Sequence, residues 1–211
     1  MSSFVSPQRE RLAEAVRHLI DATLTVADAT EEQLGSAADM VEAVARHLGR
    51  EPHDDDRGTS LRVHEGGHEE YLPRSPLVGV VSPLAAPFAW TAHADGVELT
   101  GTFHAPYEGP PGYVHGGWIA LAFDELLGMT NIATGHPGMT GRLTVRYLKP
   151  TPLHRPARLR GVTERVDGRR VIARGELWVD DVLTAEAEGL FVVLDDRLAA
   201  RYFRPDGAGG A

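Results

Sequence analysis

Residues 118–128 read "WIALAFDELLG", and the helix they would form is apolar on nearly every side. Such a helix needs cover on most of its surface. The chain carries that cover downstream in four strand-like stretches, "TGRLTVRYLK", "ARLRGVTERV", "VIARGELWV" and "VLTAEAEGLFVVL", with turns expected at Asp167-Gly168 and Asp180-Asp181. Upstream, "FAWTAHADGVELTGTFHA" reads as two strands joined at Asp95-Gly96. The order is two strands, one long helix from about Gly116 to Ala133 ended by "GHPG", then four strands. That order predicts an α+β domain in which a curved antiparallel sheet wraps the helix.

Two acids, Asp124 and Glu125, interrupt this helix. An uncompensated carboxylate in an apolar setting costs several kcal/mol, so each needs a reason to be there. The residues one turn from Asp124 are Ala120 and Gly128. Both are small and leave a slot on the helix surface, while Ile119, Ala122, Phe123 and Leu126 form the opposing stripe that would meet the sheet. A carboxylate beside a notch suits a general base or a nucleophile; it equally fits a half-exposed Asp hydrogen-bonded to a neighbour. Glu125 is the alternative acid, pointing about 100° away.

His115, Gly116 and Gly117 open the helix. First-turn N–H groups lack intrahelical partners, and the helix dipole makes that end electropositive. Glycines there allow close approach, so the tip can hold an anion or a polarised carbonyl oxygen. Gly116 and Asp124 are separated by roughly 12 Å along the axis at about 1.5 Å per residue. They cannot reach one carbonyl group together, so cooperation requires two chains: at least a dimer, with two such helices antiparallel and two equivalent sites.

The rest of the chain bounds the reading. Residues 6–48 predict a helical hairpin packed on the main domain. Ser6 and Pro7 open the first helix; Thr30 and Gln33 form a capping box for the second, and Gly49 stops it. "GREPHDDDRGTS" reads as a linker, and the two glycines of "HEGGH" argue against helical metal-ligand spacing for His64 and His68, so no metal site is expected. "SPLVGVVSPLAAPF" reads as an extended, proline-punctuated segment. The absence of cysteine excludes disulfides, thiolate zinc sites and cysteine nucleophiles. A net charge of −9 argues against nucleic-acid binding. No secretory signal or bilayer-length apolar run is visible, which points to a cytoplasmic chain with no membrane association. The charge is uneven: residues 1–75 hold 15 acids against 8 arginines, while residues 142–174 hold 10 basic residues against 2 acids. The basic stretch fits either a small anionic ligand carrying phosphates or arginines on the solvated face of strands.

"GPPGYVHGGWIALAFDELLG" followed by "MTGRLTVRYLKPTPL" resembles the hotdog-fold acyl-CoA thioesterases, closest to the branch with the phenylacetate-pathway enzymes, which has His-Gly-Gly at the helix start and Asp nine residues after the His. The resemblance covers roughly residues 76–194. It divides the chain into an N-terminal helical extension and linker (1–60), a hotdog domain (61–195) and a flexible tail (196–211). It implies hydrolysis of a fatty-acyl or aryl-CoA thioester to a carboxylic acid and CoA, in a dimer or dimer of dimers, with no metal or redox cofactor. The resemblance gives Gly116 the thioester oxygen through its backbone N–H, and gives Asp124 of the other chain the role of nucleophile or base. His115 supports the turn, Thr140 helps hold the carboxylate or the water, and Gly117 lets the ligand pass. CoA phosphates would meet Arg142, Arg146, Lys149 or Arg155. Two departures bear on substrate choice. Gly109 stands where some relatives carry an amide donor, and Trp118 is bulky beside the glycines, where it would shape the acyl pocket. The alternatives are an acyl-thioester hydratase or dehydratase and a non-catalytic acyl-CoA-binding protein.

Overall fold

The computed structural model describes residues 5–49 and 72–193. The "DDD" run, His64, His68 and the tail from 196 onward lie outside the described residues. Helix α1 (Pro7–Thr25) starts where Ser6 Oγ accepts the Arg9 N–H at 3.3 Å. Helix α2 (Glu31–Leu48) opens on a reciprocal box: Thr30 Oγ1 accepts the Gln33 N–H at 3.2 Å, and Gln33 Oε1 accepts the Thr30 N–H at 2.9 Å. It ends at Gly49, with φ 78°. Helix α1 buries Ala13 and ties to the body through Arg17, which donates to the Ser82 carbonyl at 3.0 Å. Helix α2 buries no residue, and Leu34, Val41 and Leu48 stay exposed. Both helices form, but the stripe of α2 is not packed on the domain. Ala38 and Ala45 alternate with its larger residues, so the stripe offers little area to bury.

Six antiparallel strands make one sheet: β1 (Ala89–His93), β2 (Gly96–Thr102), β3 (Gly138–Tyr147), β4 (Pro156–Asp167), β5 (Arg170–Val179) and β6 (Val182–Val193), in the order β1-β2-β4-β5-β6-β3. The β5–β6 turn places Asp180 and Asp181 at φ 49° and 62°, the left-handed pair that a two-residue hairpin needs. Helix α3 (Gly116–Ala133) lies in the concavity of the sheet, with Ile119, Ala122, Phe123 and Leu126 almost wholly buried. Gly161 and Gly175, paired across β4 and β5, let it approach closely; a Cβ at Gly175 would stand 2.9 Å from the Phe123 ring. This is the hotdog arrangement. Among the described residues no helix is long and apolar enough to cross a membrane.

The proline-punctuated segment is not extended. A short 3-10 turn at Leu72–Arg74 leads into it, and the segment itself is a succession of turns with Leu77, Val78, Ala85, Ala86 and Phe88 buried. Ser75 Oγ organises it by accepting the Leu77 and Val78 N–H groups, each at 3.1 Å, while donating to Glu125 Oε2 at 2.8 Å. Glu125 thus binds this segment to α3.

The sheet's outer face accounts for much of the basic stretch. Arg146 pairs with Glu186, Arg160 with Asp95, Arg158 with Glu98, and Arg174 bridges Glu164 and Glu188. Arg160 holds the Asp95 carboxyl below its ordinary value, chiefly by hydrogen bonding. These arginines line the solvated face of strands.

Candidate functional site

One face of α3 meets neither the sheet nor the 72–88 segment. It carries Gly117, Ala120, Asp124 and Gly128, of which Gly117 and Asp124 are exposed. Thr140 of β3 reaches this face, its Oγ1 donating to Asp124 Oδ1 at 2.7 Å. Strand alternation alone would place Thr140 in phase with Arg142 and Arg146 on the outer face. A β-bulge at Gly141 shifts the β3–β6 register between Thr140 and Arg142. The extra residue brings Thr140 to the helix side together with Leu143, Val145 and Tyr147.

The other end of the helix is built by three groups. His115 is the N-cap, and its Nδ1 accepts the Gly117 N–H at 2.9 Å. That use of Nδ1 ties the imidazole to the turn and leaves it unfit as a base through that atom. Its backbone N–H donates to the Tyr107 carbonyl at 2.9 Å. The Trp118 and Ile119 N–H groups both turn back to the His115 carbonyl. Among the described residues, no acceptor meets the Gly116 N–H. Tyr147, unremarked in the sequence, donates its hydroxyl to the Gly116 carbonyl at 2.9 Å and fixes the turn. Gly109 has a structural cause as well: a Cβ there would stand 2.7 Å from His115 Cα, so no side-chain donor fits without moving the turn.

The remaining expected residues separate. Trp118 points away from the Asp124 face, its ring edge-on to Tyr107 at 5.0 Å. Arg142 lies 3.9 Å from Glu188, and Arg155 pairs with Asp180 at 2.6 Å. Lys149 has no ion pair among the described residues and follows β3 two residues after Tyr147. Within one chain, then, Asp124 and Thr140 are together, while the Gly116 N–H sits two turns away. Among the described residues no cluster of three His, Asp or Glu could hold a metal ion.

A sheet closed on one apolar helix, with a tethered carboxylate on that helix's open face, defines a protein of the hotdog class. A family model described as the thioesterase superfamily matches residues 111–186, which include Gly116, Asp124 and Thr140. The crystal structure of a thioesterase superfamily protein is similar over nearly the whole chain. It is 32% identical with a TM-score of 0.76, covering 91% of this chain and 94% of that one. Acyl-coenzyme A thioesterase THEM4 of Xenopus laevis is 37% identical over 92 residues, 42% of this chain and 41% of the relative. The Mus musculus protein of that name is 34% identical over 90 residues, 42% of this chain and 39% of the relative. The chain matches about two fifths of the length of these relatives. It belongs to the thioesterase superfamily.

Proposed function

We propose that this protein hydrolyses acyl-CoA thioesters to a carboxylic acid and free CoA, with each site shared by two chains. One observation carries the reading: a single helix bears an unpartnered N–H at its tip and, two turns on, a carboxylate tethered by Thr140. The thioester oxygen accepts the Gly116 N–H, whose place at a helix N-terminus favours the negative charge of the tetrahedral intermediate. Asp124 of the second chain either attacks the carbonyl carbon or takes a proton from the attacking water. Thr140 aims the carboxylate through Oδ1 and leaves Oδ2 for that chemistry. The C–S bond then breaks and CoA leaves as the thiol after protonation; where Asp124 has attacked, water next cleaves the acyl-aspartyl anhydride, releasing the carboxylic acid and restoring the Asp124 carboxylate. His115, engaged through Nδ1, gives no support to the proton shuttling on carbon that a hydratase needs.

The partner surface has support of its own. Strand β3 is a sheet edge, and Met139, Tyr147 and Leu148 are exposed on or just after it. An unpaired edge carrying exposed apolar side chains is a site for a second copy. Lys149 is the basic residue best placed for a CoA phosphate, being unpaired and close to the Tyr147–Gly116 contact.

The test is free-thiol release from a panel of acyl-CoAs by the wild type and Asp124→Asn. The variant is expected to lose on the order of 10²- to 10⁴-fold in kcat while keeping its fold and its CoA affinity. Hydration of an enoyl-CoA, or tight binding with no turnover on any thioester, would overturn the assignment.

A further inference from the structure

A cavity of about 600 Å3 lies between α1 and the body, outside the Asp124 face. Its walls include Ile20 and Leu24 from α1, Leu84 from the turn segment, and Tyr107 and Trp118 beside α3. Leu24 and Leu84 are 61% and 62% exposed, so this apolar surface is left uncovered on both sides of the same space. The volume is in the range that holds a small-molecule ligand. Trp118 is two residues from Gly116, and the Tyr107 carbonyl takes the His115 N–H, so two residues of the cavity wall also hold the turn that presents the Gly116 N–H.

From this placement we infer that the cavity houses the acyl chain of the thioester, and that α1 sets the length of chain accepted. The inference deepens the thioester reading and rests on it. With the carbonyl at Gly116, the acyl substituent runs past Trp118 and Tyr107 and fills the space between Leu24 and Leu84. Glu14, Arg17, His18 and Asp21 of α1 line the outer wall with charge of both signs, so the direction of the chain is set by the carbonyl at Gly116. Helix α1 is lightly held, burying only Ala13 and tied by Arg17 to backbone carbonyls, so it can shift to admit chains of different length.

The test measures binding to the full-length Asp124→Asn protein, using CoA, acetyl-, octanoyl- and dodecanoyl-CoA, and dodecanoate alone. Affinity should rise roughly two- to fourfold per added methylene until the cavity is full, while dodecanoate alone binds far more weakly than its CoA thioester. Leu84→Trp and, separately, Leu24→Trp fill the space from opposite walls at exposed positions. Each should cut the dodecanoyl-to-acetyl affinity ratio at least tenfold. An unchanged ratio in both variants overturns the inference, as does an affinity that ignores chain length. If chain-length selection is present and lost in the variants while the wild type hydrolyses no thioester, the cavity assignment stands and the catalytic reading fails. If thioesters are hydrolysed but the variants keep the wild-type ratio, the reverse holds.

Discussion

Tyr107 joins three parts of the molecule. Its carbonyl takes the His115 N–H, its ring meets Trp118, and its buried hydroxyl donates to the Leu84 carbonyl at 3.2 Å. Burial pushes the phenol up from 10.0 to about 12, with the charge of Arg17 opposing. The unfolded chain therefore loses this proton near pH 10 while the folded chain keeps it to about pH 12. Within that window the unfolded state binds fewer protons, and stability falls as pH rises. Tyr107→Phe should flatten this part of the profile, read by urea unfolding at pH 9, 10.5 and 11.5; parallel profiles for the two proteins would refute the assignment. His115 allows a second prediction. Its Nδ1 does the work of a side-chain cap, so His115→Ala should cost about 1 kcal/mol. His115→Asn restores an acceptor and should recover most of that loss, measured by urea unfolding at neutral pH.

At the scale of elements, the bulge at Gly141 decides the site. The bulge sets Thr140 opposite Phe191 on the helix side, and Thr140→Val keeps that backbone while removing the hydroxyl that reaches Asp124. The expected outcome is a cooperatively folded protein whose kcat falls at least tenfold, because Asp124 has lost its tether; steady-state kinetics beside a thermal melt would show it. A Thr140→Val variant with wild-type kcat would mean that the Thr140–Asp124 contact is incidental. This bulge also marks where sequence reasoning stops. Ser6, Thr30 with Gln33, Gly49 and the limits of α3 were legible, because caps and periodicity are written in neighbouring residues. Asp124 stood out because a charge interrupts an apolar run. The side on which Thr140 emerges depends on pairing with Phe191 and Leu190, some fifty residues away. Gly161 and Gly175 are explained only by the helix pressing on them, and Gly109 only by the back of His115. The turns at 72–88 follow from Ser75 meeting Glu125, and prolines alone read equally well as extended chain. The outer-face arginines alternate along β3, β4 and β5, but their acids come from other strands or turns, so their neutralisation could not be read locally.

At the scale of the molecule, the shared site makes an arithmetic demand. If Gly116 of one chain faces Asp124 of its partner across a two-fold axis, the two α3 helices must cross midway between those positions, at Ala120. Ala120 is small, half-buried and on the open face, which suits a close crossing. Ala120→Phe should therefore lower dimer content and kcat together, seen by sedimentation velocity beside thiol release. Subunit mixing tests the same geometry without weakening the interface. Gly116→Pro removes the tip N–H and fits locally. Proline is favoured in a first helical turn, and His115 before it already holds ψ 133°, the extended region that a following proline requires. Gly116→Pro and Asp124→Asn should each be inactive alone. When equal amounts are unfolded and refolded together, half the dimers pair one of each, and each such dimer rebuilds one complete site from the intact Gly116 of one chain and the intact Asp124 of the other. The mixture should recover about one quarter of wild-type activity. A site contained within one chain would leave it inactive, because every chain carries a lesion.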